Sequence, residues 1–446
     1  MIMSGRTLIK IIASVVLLGS AAFTAKSQAF TSYTPYSIFG VGDIADPGTA
    51  YNRSMGGVGI AGRSNRFLNV LNPASVTARD SLAFMADFTV SGGSRFFTQG
   101  DMSSISNTFN ISNCAISFPI WKSSAMMVGI QPYSSTGYGY SFSYDDPSII
   151  GRTGPVKYSA TGQGAMYNAF VAAGVTFFKR ISLGAQASYI FGQTDKNYYG
   201  TFTDSSFNGV KNGNSLQLSG VTGKFGIQYE QPVGTKGSLT VGATYQLETD
   251  IKGYVENYSF SSGTAASDTL YYRIDTLANR PDRVRLAGEI GLGISYKHAD
   301  KWMVEFDYTR SDWTRSGLGN VEGFRGNTSS TSSSSVFTTS ISDSYRVGFE
   351  YVPNRNDIRY FYKKIAYRGG AYYRNEYYLL DGNKVNSMGI TIGATIPVFR
   401  WYNGLTVAVD FGQRGTICDN MIRERYINFS VGMNIFDIWF QKPRYE

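Results

Sequence analysis

Apolar residues along most of this chain alternate with small or polar ones at a period of two, the spacing of strands whose two faces meet different surroundings. Residues 388–396 read Met-Gly-Ile-Thr-Ile-Gly-Ala-Thr-Ile, with Met388, Ile390, Ile392, Ala394 and Ile396 on one face and Gly389, Thr391, Gly393 and Thr395 on the other. Residues 284–296 do the same, with Val284, Leu286, Ile290, Leu292, Ile294 and Tyr296 opposite Arg285, Glu289 and Ser295. The pattern predicts fourteen strands, near 82–90, 109–118, 125–133, 164–178, 181–192, 214–230, 238–250, 283–297, 301–312, 343–352, 364–378, 386–397, 404–413 and 424–436.

The connections alternate in length. Short ones lie at 119–124, 179–180, 231–237, 298–300, 353–363 and 398–403. Long ones lie at 134–163, 193–213, 251–282 and 313–342, with shorter members at 91–108, 379–385 and 414–423. Bacterial outer-membrane barrels combine an even strand number with short periplasmic turns and longer external loops. A soluble sandwich or propeller also carries many alternating strands, but its loops need not sort by length. The reading is an all-β chain, a 14-stranded antiparallel transmembrane β-barrel over 81–436, followed by a periplasmic tail over 437–446. Aromatics at strand ends agree: Phe177, Tyr229, Tyr296, Trp302 and Tyr351 sit beside short turns, and Tyr189, Phe191, Tyr308 and Phe411 approach long loops, as interface belts require.

Composition sharpens this. Only 16% of the residues are charged and 15% are aromatic, with 50 Gly in 446, against averages of roughly 25% charged and about 7% Gly. Such a chain has too much apolar surface for intrinsic disorder. Its one long apolar run, 11–23, is shorter than the about 20 residues of a membrane helix. Arg6 and Lys10 precede that run and Ser27-Gln28-Ala29 follows it, the anatomy of a signal peptide over 1–29. Its removal takes away Arg6, Lys10 and Lys26 and lowers the formal charge from +9 to +6. An exported chain without a basic stripe is not read as binding nucleic acid. Cys114 and Cys418 do not make a disulfide framework.

Residues 30–80 break the pattern, being rich in Gly, Pro, Asn and Ser. So long an irregular stretch calls for a function, and the lumen of a fourteen-stranded barrel is too wide for wall side chains to fill, so a plug can occupy it. Here Ser54-Met55-Gly56-Gly57-Val58-Gly59-Ile60-Ala61, then Asn72-Pro73-Ala74 just before the first strand, together with fourteen strands, resemble the FadL-like long-chain fatty acid transporters of Gram-negative outer membranes. The motif resemblance covers about 25 residues and the architectural one the mature chain. It implies an N-terminal lumenal hatch over 30–80, with Gly56, Gly57, Gly59, Asn72, Pro73 and Ala74 at the passage. It also implies a disturbed third strand that releases apolar substrate sideways. That strand contains Pro132 in Val128-Gly129-Ile130-Gln131-Pro132-Tyr133. Proline has no ladder donor, so Pro132 either breaks the wall or simply ends the strand.

Catalytic chemistry is sparse. The single histidine, His298, falls in a short turn beside Lys297 and Asp300, where a triad or metal site would lack partners. No enzyme, metal or cofactor is read. The Gly-rich run at 56–59 lacks the strand–loop–helix setting of a phosphate loop. By parity Lys224, Arg285, Glu289, Glu305, Asp307, Arg346, Glu350, Arg368, Arg374 and Asp410 face the lumen, opposite Asp43, Asp46, Arg53, Arg63, Arg66 and Arg79 of the hatch. Facing lipid, such charges would cost about 2–4 kcal/mol each at the midplane. Mixed signs read as a paired wall, with capture of a substrate carboxylate as the other reading. The Ser/Thr run 328–335 reads as a mobile external loop. The expected function is passive uptake of small hydrophobic, fatty-acid-like molecules across the outer membrane, with membrane lipid and that ligand as partners. The alternative is a structural or secretion-associated barrel that binds a protein.

Overall fold

The structure, a computed structural model, describes residues 32–80, 82–121, 123–144, 146, 151, 154–204, 206–262, 272–274, 284–320, 324, 337–398, 404–418 and 421–438. The expected signal peptide over 1–29, the run 328–335 and the tail beyond 438 lie outside them. No described helix is long and apolar enough to cross a membrane, which says nothing of strands.

Fourteen strands form the wall. They are β1 (Ala83–Gln99), β2 (Met102–Trp121), β3 (Ser124–Tyr144), β4 (Val156–Phe177), β5 (Ile181–Phe202), β6 (Gly209–Val233) and β7 (Gly237–Gln246). The second half comprises β8 (Glu289–His298), β9 (Trp302–Asp312), β10 (Ile341–Tyr351), β11 (Ala366–Leu380), β12 (Asn383–Pro397), β13 (Gly404–Arg414) and β14 (Arg423–Ile438). Each pairs antiparallel with the next, and β1 closes on β14 from Ala83 opposite Ile438 to Thr98 opposite Arg423. The aliphatic face of each strand points out: Val128, Ile130, Val171, Val241, Ile290, Leu292, Ile294, Ile390 and Ile392 are all exposed. In water that band would be a large liability; it is the surface a bilayer covers.

Each of the fourteen strands overlaps the segment where alternation places it, but several connections and one strand boundary differ. The stretches 91–108, 134–163 and 193–213 are largely ladder, because β1 to β6 run well past the length a membrane requires. Above the membrane both faces meet water, and Ser, Thr, Gly and Tyr replace the aliphatic face, so periodicity fades while pairing continues. The β11–β12 connection is only Asp381-Gly382, both at positive φ (48° and 78°), the Asp-Gly signature of a two-residue turn. In the other direction, 283–297 is strand only from Glu289: Arg285–Leu286 instead pairs with Thr249–Asp250 in a separate two-stranded sheet. Lys252–Ser262 turns back to extend the ladder of β6.

Residues 32–80 run inside the ring. Three short elements punctuate them: a 3-10 turn Pro35–Ile38, one helical turn Ala50–Arg53 and a 3-10 turn Pro73–Thr77. Apolar packing closes both ends. At the long-loop end Tyr36 and Val41 join Val284, Leu286, Trp313, Leu318, Phe324, Phe337, Tyr377 and Tyr378 in one buried cluster. Toward the short turns Leu68, Val70 and Val76 pack on Met85, Met127 and Phe170.

The lumenal segment and the seam between β2 and β3

The interior is built by backbone meeting backbone. A Cβ at Gly184 of β5 would overlap Pro73 and Ala74, one at Gly242 of β7 would overlap Ile60, and one at Gly370 of β11 would overlap Met55 and Gly56. Inward-facing glycines of the wall therefore mark where the inner segment presses against it, the close approach for which glycine is used. Gly56 itself adopts φ +72°, and an added Cβ would stand 2.8 Å from the Val347 carbonyl and 2.9 Å from that of Ala371.

Wall side chains then serve the exposed amides of this Gly-rich stretch. Gly56 N–H donates to Thr391 Oγ1 at 2.7 Å. Gly59 and Ile60 N–H donate to Asp307 Oδ2 at 2.7 and 3.0 Å, and Ala61 N–H to Glu305 Oε1 at 3.0 Å. Gly57 gives its carbonyl to Arg346 Nη1 at 3.1 Å. Asn72, fully buried, caps the 3-10 turn by accepting from Ala74 N–H at 3.0 Å while its Nδ2 donates to the Ile60 carbonyl at 2.7 Å. Asn72-Pro73-Ala74 thus acts as a clasp: asparagine satisfies two chain segments, and proline starts the turn without needing a partner for its nitrogen.

Ion pairs fix the other half. Asp43 lies 2.8 Å from Arg414 and 3.5 Å from Arg95, and Asp46 lies 2.8 Å from Arg374 and 3.3 Å from Arg346. Glu424 bonds Arg95, and Glu376 holds Arg414 at 3.1 Å and Arg374 at 3.2 Å. Thr34 Oγ1 donates to Glu424 Oε2 at 2.7 Å. Burial pushes the Asp43 carboxyl up, but Arg414, Arg95 and Arg374 outweigh it and hold it below its ordinary 3.8. Asp46 behaves alike, with Arg374 and Arg346 prevailing over burial. Near the short turns Arg63 reaches Glu230 at 3.3 Å.

The other sequence-marked charges separate into two groups. Arg368 pairs with Glu350 at 2.8 Å and lies over the rings of Tyr51 and Phe67 at 4.5 and 4.8 Å. Lys224 faces Glu289 at 3.8 Å. Arg285 stands apart from the wall strands, paired at 2.9 Å with Asp250 and at 3.3 Å with Glu248 in the small sheet. The cluster Arg95, Glu376, Arg414 and Glu424 is missing from the sequence reading. Parity would have found Arg414 had the strand predicted at 404–413 been carried one residue further, and Glu424 already opens the strand predicted at 424–436. His298 stacks beside Tyr296 and Trp302, which also touch each other, and both cysteines are free. Among the described residues no group of three or more His, Cys, Asp or Glu is placed to hold a metal.

Pro132 stands at a discontinuity. β3 pairs with β2 only from Cys114 opposite Ile130 down to Trp121 opposite Ser124. With β4 it continues past Pro132, through a register shift, up to Tyr144. Above Ile130 the two strands part and leave a seam. The inner segment lines one lip, where Asp43 and Ile44 pair with Ser135 and Ser134. Pro132 also borders two cavities. The larger mixes apolar lining (Ile44, Ile60, Leu71, Tyr133, Trp313) with Lys224, Glu289, Asp307, Arg346 and Arg374. The smaller lies along β2 and is polar, with Arg95, Thr108, Asn110, Ser112 and Ser135.

Several solved barrels share this architecture. The Ralstonia pickettii toluene transporter TbuX superposes with a TM-score of 0.54 at 15% identity, covering 87% of this chain and 98% of that one. The Pseudomonas putida toluene transporter TodX gives 0.55 at 14%, covering 90% and 100%. A Pseudomonas aeruginosa FadL homologue gives 0.54 at 12%, covering 89% and 100%. At these identities the likeness is one of fold, and it makes this a FadL-type barrel. No curated protein matches the sequence. The family model BamG matches residues 8–446, so this chain, a FadL-type barrel in architecture, is a member of the BamG family.

Proposed function

We propose that this protein is a barrel of the Gram-negative outer membrane through which a small hydrophobic molecule with a polar end, fatty-acid-like in chemistry, passes sideways without an energy source and without chemical change. The observation that carries this reading is the seam above Ile130, opening beside Pro132 where the amphipathic cavity meets the wall. An apolar chain would lie against Ile44, Ile60, Leu71 and Trp313 while its polar end met the charged side. The clasp at Gly56, Gly57, Gly59, Asn72, Pro73 and Ala74 would keep water and ions from following. Brominated fatty acid added to the reconstituted barrel tests it: quenching that is lost in Trp313→Phe, with delivery to the vesicle interior, is expected. Absence of both refutes the reading.

A second reading, a structural barrel that binds a protein partner, is favoured by a different observation. The inner segment is tied by buried ion pairs at Asp43 and the long-loop mouth is filled by aromatic packing, which suits a wall meant to stay shut. Gentle purification from native membranes separates the two readings: a stoichiometric protein with no lipid in the lumen supports the second.

A further inference from the structure

At the short-turn end the outer face of the wall carries a row of rings. Trp302 of β9, Tyr351 of β10 and Tyr367 of β11 stand opposite one another at successive register positions, on the same face as the exposed Val304, Phe349 and Tyr373. Rings so placed mark the depth of the membrane–water interface. Tyr367 Oη donates to the Tyr362 carbonyl at 3.1 Å, which ties the turn joining β10 to β11 to that same depth.

This turn has a defined structure. Asn354 N–H donates to the Lys363 carbonyl at 2.9 Å, and a 3-10 turn, Phe361–Lys364, leads it into β11. Asp357, the one acid between β10 and β11, accepts from Arg359 N–H at 2.9 Å and Tyr360 N–H at 2.6 Å and lies 3.6 Å from Lys363. Arg355 pairs with the lumenal Glu350 at 3.5 Å. Three cations, Arg359, Lys363 and Lys364, therefore share one carboxylate. Arg359 and Lys363 flank the Tyr360 ring at 5.2 and 4.6 Å. Beside them Ile358 is 91% exposed, and Tyr360, Phe361 and Tyr362 are exposed as well. In water so much apolar surface on one turn would be a liability. At a lipid interface it is matched: apolar groups enter the boundary between headgroups and chains, and cations meet anionic headgroups.

We propose that the β10–β11 turn is a binding site for anionic phospholipid in the leaflet on the short-turn side. Ile358 and the rings of Tyr360 and Tyr362 enter the headgroup–chain boundary, and Arg359, Lys363 and Lys364 hold the phosphates. The turn continues the lipid-facing band of the wall, and it lies on the outer rim, apart from the lumen and whatever passes there.

Quenching by brominated lipid tests this on the full chain, with an environment-sensitive fluorophore at Ile358→Cys after Cys114→Ser and Cys418→Ser. The vesicles hold phosphatidylglycerol and phosphatidylcholine in equal amounts, and only one of the two is brominated. The expected result is quenching by both, about twofold or more stronger when the phosphatidylglycerol carries the bromine. Arg359→Gln, Lys363→Gln and Lys364→Gln together should make the two lipids equal. A fluorophore at Val241→Cys, in the lipid-facing band of β7, should show no preference in either form. A label at 358 that neither lipid quenches, or that both quench equally without the three substitutions, overturns the proposal. Should the substituted barrel fail to fold, the comparison of the two lipids on the unsubstituted turn still decides. In living cells, p-benzoylphenylalanine at Tyr362 should give no discrete protein adduct; one that forms overturns the assignment to lipid.

Discussion

Replacing Asp43 by alanine should release the front of the inner segment without unfolding the wall. The carboxylate sits between Arg414 and Arg95, with all three side chains at most 14% exposed. Removing one member of a buried ion pair typically costs about 3–5 kcal/mol, because a charge is left unpaired. Here the orphaned guanidiniums are not alone. Arg414 keeps Glu376 at 3.1 Å and Arg95 keeps Glu424, so the expected loss falls to about 2 kcal/mol, below that range. At 1.36 kcal/mol per tenfold, this raises the population with the segment detached by about 30-fold. Hydrogen exchange read by mass spectrometry over 33–45 should accelerate by that factor, while the β13–β14 ladder keeps its protection. Asp43→Ala combined with Arg414→Met should recover part of the loss, since the unpaired charge is then gone. Unchanged exchange over 33–45, or equal acceleration of 33–45 and the β13–β14 ladder, would refute the idea that this cluster latches the segment.

Three further outcomes follow from the same interior. Because Asp43 and Asp46 titrate below their ordinary 3.8 in the folded chain, their stabilisation is complete above that value and is lost as pH falls through the lowered folded values; protease access to the segment should be the same at pH 7 and 5 and rise only below about pH 4. Gly56→Ala should lower the midpoint of heat denaturation on gels through about 1–3 kcal/mol of backbone strain, whereas Gly151→Ala, at φ +51° with nothing within 4 Å, should move it less. Asn72→Ala should cost about 1 kcal/mol for the lost cap, since the Ile60 carbonyl keeps Gln228 Nε2 at 2.9 Å; adding Gln228→Ala should cost more than the sum of the two, because that carbonyl then has neither amide.

The fold was legible because lipid imposes a simple rule. An aliphatic residue at every second position leaves a mark such as Met388 to Ile396, and all fourteen strands could be placed from it. The rule lapses where water touches both faces, so the upper ladders of β1 to β6 looked like loops. Within the lumen, parity assigned Asp307, Arg346 and Arg368, but it gave no partners. The pairing of Asp43 with Arg414 joins residues 371 positions apart in sequence, and only the closure of β1 on β14 brings β13 beside the start of the chain. The seam was half visible. Pro132 announced a lost donor, yet nothing in its neighbourhood told that the inner segment would pair with β3 just above it.

The glycines that line the wall have a consequence for how the molecule is made. Gly184, Gly242 and Gly370 leave no room between strand and inner segment, and the ring is sealed by its first and last strands. A finished cylinder could not admit residues 32–80 afterwards without being forced open. Closure around a segment already in place needs no such forcing, so the earliest part of the chain is expected to serve as a mandrel for the later strands, with the joining of β14 to β1 as the expected last act of assembly.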